Sequence, residues 1–114
     1  WYEIDNLIKS GQYILDVRES YEVKNGAMQN VINIPLGQLR DRLDEIPKDK
    51  KIYVTCQVGL RGYIACTILN QHGYDTSNID GGYKTYNSIK NAEKMIKKLD
   101  EKNIQKITKK WLTL

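Results

Sequence analysis

Residues 51–61, KIYVTCQVGLR, join a run of β-branched and aromatic residues to the start of a segment with helical spacing. The run predicts a strand and the spacing predicts a helix, so Cys56 lies at a strand-to-helix turn. The first N–H groups of a helix have no partner within it and form the positive end of its dipole. Together with the guanidinium of Arg61, they favour a thiolate over a thiol. Cys56 is therefore a candidate nucleophile.

The loop between Cys56 and Arg61 consists of Gln57, Val58, Gly59 and Leu60. A loop of this length can turn several N–H groups toward the sulfur and toward an atom attached to it. The Cys-x5-Arg loop that is typical of phosphatases is one residue longer and encloses a tetrahedral phosphate. The shorter loop here favours a smaller occupant.

The length of 114 residues suits one domain with an ordinary core. Cys56 and Cys66 do not make a disulfide framework, and no His/Cys cluster has metal-ligand spacing, so we expect no metal site and a reducing compartment. No apolar run is long enough to predict a membrane span. The chain does not begin with Met, and we expect it to be a fragment of a longer, soluble, cytoplasmic protein.

The formal net charge of +4 is unevenly distributed. Residues 1–83 carry nine Lys/Arg against eleven Asp/Glu, a net charge of −2, whereas residues 84–114 carry nine Lys against three acids, a net charge of +6. The basic segment has no Arg and no recognisable nucleic-acid reader motif. A solvated, lysine-rich helix face is therefore expected there, without a nucleic-acid partner.

Strands and helices alternate up to residue 83. The predicted strands cover residues 13–17, 31–34, 51–55 and 76–79, and apolar residues with helical spacing lie in residues 4–8, 36–46 and 60–72. This alternation predicts a parallel sheet with helices on both faces. Ligands of such sheets bind at the carboxyl ends of strands, where Asp16, Cys56 and Asp80 lie. The Gly81–Gly82 turn is expected to let the backbone approach a neighbouring group closely.

The end of the chain predicts helices. Ile89, Ala92, Ile96 and Leu99 share one helical register, and Ile104, Ile107, Trp111 and Leu114 share another, with a break expected near Asn103. Residues 91–114 are therefore expected to form a basic helical C-terminal extension, packed on the domain of residues 1–90 or on a partner domain.

Four motifs occur in the order in which the rhodanese homology domain has them. They are Leu15–Glu19 followed by Glu22, Asn33–Leu36, the Cys56–Arg61 loop and Gly81–Tyr83. Residues 13–83 therefore resemble this family. The stretch CQVGLRGY and the Gly-Gly-Tyr turn are most similar to the C-terminal rhodanese domain of coenzyme A disulfide reductase-type pyridine nucleotide-disulfide oxidoreductases. The resemblance implies a three-layer α/β domain with a central parallel sheet of four to five strands.

The resemblance implies a sulfurtransferase or persulfide carrier. The Cys56 thiolate would attack a sulfane donor and become a persulfide, and a thiol acceptor would remove the outer sulfur. The N–H groups of residues 58–61 are expected to stabilise that sulfur, and Arg61 to hold the loop closed. The substrate-binding positions of the loop are Gln57, Val58, Gly59 and Leu60, of which the first two are expected to face the pocket.

Three further residues belong to the predicted site. Asp16 and Arg18 are expected to form a charge pair, which either orients the loop at the pocket mouth or is purely structural. Tyr83 is expected to form a pocket wall or to pack in the core. Cys66 lies well along the predicted helix at 1.5 Å rise per residue, too far from Cys56 for a disulfide, and is expected in the core.

Two other functions stay open on the sequence. One is a small Cys-dependent phosphatase or arsenate reductase, and the other is a catalytically silent docking or redox-sensing module. The resemblance also implies upstream oxidoreductase domains that bind FAD and NAD(P)H, cofactors that this chain itself is not expected to bind. The expected small-molecule partners are a sulfane-sulfur donor, with coenzyme A persulfide as one candidate, and a thiol acceptor. No membrane partner is expected.

Overall fold

A computed structural model describes residues 2–112, and its core is one four-stranded sheet. The strands are β1 (Tyr13–Asp16), β2 (Ile32–Asn33), β3 (Ile52–Thr55) and β4 (Thr76–Asn78). All pairs are parallel, in the order β2-β1-β3-β4. Asp16 pairs with Thr55, so β1 and β3 end side by side and bring the residues that follow them to one edge. The predicted parallel α/β fold is confirmed.

Four α-helices and two 3₁₀ segments surround the sheet within the described range. The α-helices are α1 (Tyr2–Lys9), α2 (Ser20–Lys24), α3 (Leu60–Gln71) and α4 (Gly82–Leu112), and the 3₁₀ segments are Leu36–Gln38 and Arg40–Glu45. The segment of residues 36–46 is thus helical, as predicted, but in two tight pieces. The two 3₁₀ pieces lie between two prolines, and they bury Leu39 and Ile46 in the core.

Different helices pack on the two faces of the sheet, because successive strand residues point to opposite sides. Leu15 packs with Leu69 of α3 on one face. Ile14 packs with Ile4 of α1 on the other face, where Tyr83 and Tyr86 of α4 also contribute. The three-layer arrangement predicted from the alternation of strands and helices is confirmed.

The long helix α4 has a packed beginning and an exposed continuation. Tyr86 is half-buried and Lys90 forms an ion pair with Asp5 of α1 at 2.8 Å, whereas every side chain from Lys94 to Lys106 is exposed. The helix passes Asn103 without interruption, so the break predicted there is wrong. The predicted stripe positions Ile107, Trp111 and Leu114 lie outside the described side chains. The domain boundary at residue 90 stays a prediction.

The described residues contain no helix with the combination of length and apolar character that crossing a bilayer requires. In α4, lysines recur among the apolar residues along the whole exposed part.

Candidate active site

The loop after β3 folds back on its own first residue. Cys56 follows the last residue of β3, and Gly59 forms the N-cap of α3 with φ +119° and ψ −23°. Only glycine adopts this left-handed conformation without strain. The turn aims the Gly59 N–H at the Cys56 Sγ, at a distance of 3.0 Å.

The Cys56 sulfur accepts two backbone hydrogen bonds. The second comes from the N–H of Gly62, in the first turn of α3, at 3.2 Å. Cys56 itself is only 1% exposed. The prediction that loop amides converge on the sulfur therefore holds for Gly59, but the second donor lies one residue beyond Arg61. An N–H in the first turn of a helix has no carbonyl partner in that helix, which leaves it free for the sulfur.

The beginning of α4 holds the loop from the opposite side. The N–H groups of Tyr83 and Lys84 donate to the carbonyl oxygens of Cys56 (2.8 Å) and Gln57 (3.0 Å). Gly82 has φ +55°, and a Cβ at this position would overlap with the Cys56 carbonyl and the Gln57 backbone. The close backbone approach predicted for the glycine pair is confirmed, and its target is the candidate nucleophile's own peptide group.

Arg61 connects α3 to α2 through a bidentate ion pair. Its Nη1 and Nη2 donate to Glu22 Oε2 and Oε1 at 2.8 and 3.0 Å. Glu22 also accepts the N–H of Glu19 in a capping box. Hydrogen bonding by Arg61 lowers the pKa of Glu22 below its ordinary value, and the same contact raises the pKa of Arg61. Arg61 thus ties the loop to α2, and the carboxylate of Glu22 balances its charge.

Asp16 and Arg18 form a buried ion pair beside the loop. The Nη2–Oδ2 distance is 2.7 Å, and the two side chains are 0% and 2% exposed, Asp16 being the lower. Arg18 also donates to the side-chain oxygen of Gln57 at 3.3 Å and to the carbonyl of Gly26 at 3.0 Å. Its guanidinium carbon lies 4.5 Å from the centre of the Tyr83 ring. The pair is buried, and Arg18 also contacts the loop through Gln57; its role in orienting the loop stays a prediction.

Of the remaining loop side chains, one contacts the Asp16–Arg18 pair and two are exposed at the surface. Gln57 is half-buried and turns toward Arg18, whereas Val58 and Leu60 are 58% and 68% exposed. The two exposed residues form an apolar rim around the loop. Tyr83 is half-buried and packs with the α1 side of the core, which agrees with the core-packing alternative for this residue.

Cys66 and Asp80 are not among the residues that donate to the Cys56 sulfur. Cys66 is 8% exposed, in the core as predicted, and burial raises the pKa of its thiol. Both cysteines are free. Asp80 is exposed. Within residues 2–112, no group of three or more His, Cys, Asp or Glu residues is arranged to hold a metal ion.

Two contributors to the site were not predicted from the sequence. Gly62 donates to the sulfur, and the Nδ2 of Asn78 donates to the Gly59 carbonyl at 3.0 Å. The position of Gly62 in the first turn of the predicted helix was a usable signal for a free N–H. Asn78 lies in a short polar strand distant in sequence from the loop, and nothing in its sequence neighbourhood indicates the contact.

Comparison with known proteins gives a consistent family match. The family described as Rhodanese-like domain matches residues 1–89. The putative sulfurtransferase YtwF of Bacillus subtilis is 33% identical over 70 residues, which are 61% of this chain and 68% of that protein.

Two solved structures of longer proteins contain a similar unit. Reduced Bacillus anthracis CoADR-RHD is 53% identical with a TM-score of 0.73, and the match covers 75% of this chain but 15% of that one. A NAD-dependent persulfide reductase from A. fulgidus is 44% identical with a TM-score of 0.56, over 63% of this chain and 13% of that one. Most of each longer protein therefore has no counterpart in these 114 residues.

Proposed function

Because this chain belongs to the rhodanese-like family, whose relatives include sulfurtransferases, we propose that it transfers sulfane sulfur through a persulfide on Cys56. In the first step, the Cys56 thiolate attacks the outer sulfur of a donor R–S–S⁻. The new bond joins Sγ to that sulfur, and the donor's S–S bond breaks to release R–S⁻. In the second step, an acceptor thiolate attacks the outer sulfur, and Cys56 leaves again as a thiolate. No net oxidation occurs.

The observation that carries this proposal is the pair of N–H donors on the Cys56 sulfur. The amides of Gly59 and Gly62, at 3.0 and 3.2 Å, favour negative charge on sulfur, which the nucleophile needs in the first step and the leaving group needs in the second. Loss of one preorganised donor in an oxyanion hole costs roughly 3 kcal/mol. The geometry of the loop should therefore matter almost as much as the cysteine.

The network around the loop supports a role in orientation for the other predicted residues. Arg61 holds the first turn of α3 against Glu22, and Arg18 holds Gln57. The exposed side chains of Val58 and Leu60 would contact the donor or acceptor at the mouth. An uncharged rim favours a partner that carries an apolar group next to its sulfur over a small, doubly charged anion.

We further propose that this domain works within a longer disulfide or persulfide oxidoreductase. The sequence identity with CoADR-RHD and with the persulfide reductase supports this context. Its flavin and nicotinamide sites would lie on domains outside this chain, and coenzyme A persulfide is a candidate donor. A reducing cytoplasm would keep both thiols free for such chemistry.

The test is intact-mass analysis after incubation with a sulfane donor. We expect one added sulfur on the wild-type protein and none on Cys56→Ser. Cys66→Ser is the matched control and should load like the wild type, because burial raises the pKa of the Cys66 thiol and disfavours its thiolate.

Each alternative to this proposal would give a different experimental result. Loading that persists in Cys56→Ser would move the site to Cys66. A folded wild-type protein that accepts no sulfur, and whose Cys56 resists alkylation near neutral pH, would support a silent module. Release of phosphate from an aryl phosphate would support the phosphatase alternative.

A further inference from the structure

Asn78, the last residue of β4, touches both residues whose amides hold the Cys56 sulfur. Its Nδ2 donates to the carbonyl of Gly59 at 3.0 Å. Its Oδ1 lies so close to Gly62 that a Cβ added there would overlap with it. Gly59 and Gly62 are also the residues whose N–H groups donate to Sγ. One side chain therefore contacts both residues whose N–H groups donate to the sulfur.

The amide group of Asn78 can point only one way. With the nitrogen toward Gly59, a donor faces a carbonyl oxygen, whereas the reverse orientation would set two oxygens against each other. In the observed orientation, Oδ1 is buried and has no hydrogen-bond partner among the described residues. A buried, unpaired oxygen is unfavourable, and native proteins rarely retain one. The hydrogen bond to Gly59 satisfies the other end of the same amide group.

Gly59 is the residue that most needs such support. Glycine has the greatest backbone freedom of all residues, and this one is held at φ +119°. Its carbonyl accepts the N–H of Tyr63 at 2.9 Å as well as the amide of Asn78. The carbonyl and the N–H of Gly59 flank a single Cα. Fixing the carbonyl therefore limits the rotation that would turn the N–H away from Sγ.

We propose that Asn78 is a positioning residue for the Cys56 sulfur. It holds Gly59 from one side and limits the position of Gly62 from the other, so that both N–H groups remain aimed at Sγ. The inference deepens the proposed function and rests on Cys56 as the nucleophile.

The first test is Asn78→Ala, followed by two measurements on the folded protein. One is the rate of Cys56 alkylation by iodoacetamide as a function of pH, measured on the Cys56 peptide by mass spectrometry. The other is the rate of sulfur loading from a sulfane donor. We expect the rise in alkylation to move to higher pH, because the anionic sulfur loses support, and loading to slow by about tenfold or more.

Ser77→Ala is the matched control for this variant. Ser77 lies on the same strand, and its side chain points to the opposite face of the sheet. Both the alkylation profile and the loading rate should remain those of the wild type. A merely structural role for Asn78 would lower the melting temperature and leave the pH profile in place.

Gly62→Ala approaches the same contact from the other side. The added methyl group would displace Oδ1 of Asn78, so we expect the same shift of the profile. In the double variant Asn78→Ala/Gly62→Ala, the methyl group has room, and loading should be no slower than in Asn78→Ala alone. This non-additivity would identify the contact as the cause.

The outcomes separate this inference from the proposed function. A folded Asn78→Ala protein with the wild-type profile and loading rate would overturn the inference. If the wild-type protein takes up no sulfur while Asn78→Ala still shifts the alkylation profile, the sulfurtransferase proposal fails and the positioning role stands. Should Asn78→Ala not fold, an unshifted profile in Gly62→Ala would overturn the inference.

Discussion

The first turn of α4 and its stretch from Lys94 to Lys106 lie in opposite surroundings. At its beginning, Gly82 packs against the Cys56 peptide, and the first free N–H groups of the helix bind loop carbonyls. From Lys94 to Lys106 the same helix exposes every side chain, including Met95, Ile96 and Leu99. The first region is held by backbone groups that a helix cannot satisfy internally. The second has internal backbone hydrogen bonds but lacks the tertiary packing that stabilises most helices.

Apolar periodicity and participation in a site are therefore separate properties of a helix. The exposed apolar residues of α4 form the more regular pattern in the sequence. The contact of α4 with the Cys56 loop depends instead on a glycine pair and two backbone N–H groups. Variants in the two regions should therefore differ strongly in effect.

The largest effect is expected for Arg18→Met, which removes one partner of the buried ion pair. Asp16 would remain as a buried carboxylate without its partner, and such a loss costs about 3–5 kcal/mol. Urea unfolding should show this decrease in the free energy of unfolding. Arg42→Met, which removes the exposed Arg42–Glu45 pair, is the control and should leave stability almost unchanged. Equal effects of the two variants would contradict the burial of the Arg18 network.

A smaller loss is expected for Gly82→Ala at the beginning of α4. The methyl group would overlap with the Cys56 carbonyl at a positive φ, and overpacking combined with backbone strain costs about 2–3 kcal/mol. Sulfur loading should fall in the same variant, because the loop must move. Gly37→Ala, where a Cβ meets nothing within 4 Å, is the matched glycine control. A Gly82→Ala protein as stable and active as this control would refute the close approach.

The Arg61–Glu22 contact predicts a pH dependence. Because Arg61 lowers the pKa of Glu22 in the folded state, the pair stabilises the protein above the ordinary carboxyl pKa. That stability is lost as the pH falls through the lowered value. Glu22→Gln should therefore lower stability at neutral pH by about 1 kcal/mol or less and reduce the acid-dependent loss. Urea unfolding at neutral and acidic pH measures both the stability at neutral pH and its loss in acid. An acid-dependent loss that is unchanged in Glu22→Gln would exclude Glu22 as the source of that loss.

The smallest effect is expected in the exposed part of α4. Leu99 is 57% exposed, so Leu99→Ser should change the free energy of unfolding by no more than about 0.5 kcal/mol. Thermal unfolding of the wild type and the variant, compared with Leu69→Ser in the buried face of α3, measures the contrast. A loss for Leu99→Ser that approaches the loss for Leu69→Ser would mean that the stripe is covered in solution.

Much of the architecture followed from local patterns. The short apolar runs became β1 and β3. The spacing of Ile64, Ala65, Ile68 and Leu69 predicted the buried face of α3 correctly except at Ile64, which is 41% exposed. The pattern could not distinguish the 3₁₀ segments from an α-helix, because residues three apart align in both. It also predicted a break at Asn103, although a shift of apolar register does not by itself interrupt backbone hydrogen bonding.

The site was predictable only in part, because its components are close in space and distant in sequence. Cys56 and the short loop before Arg61 were evident from the strand-to-helix turn. The ion pair that Arg61 forms joins residues 39 apart in the chain, and the contact of Asn78 with Gly59 joins residues 19 apart. The spacing of residues within a short stretch of sequence cannot indicate such pairs.

The alternation of strands and helices, the cysteine at the end of β3 and the glycines that permit a tight loop could be predicted from the amino-acid sequence, because these depend on side-chain periodicity and backbone freedom. Three features became visible only in the folded chain: which amides reach the sulfur, that Glu22 balances the charge of Arg61, and that Asn78 contacts the loop. These contacts exist only after the parallel sheet has brought the ends of separate strands to one edge, where unpaired backbone and side-chain donors must find acceptors across the fold.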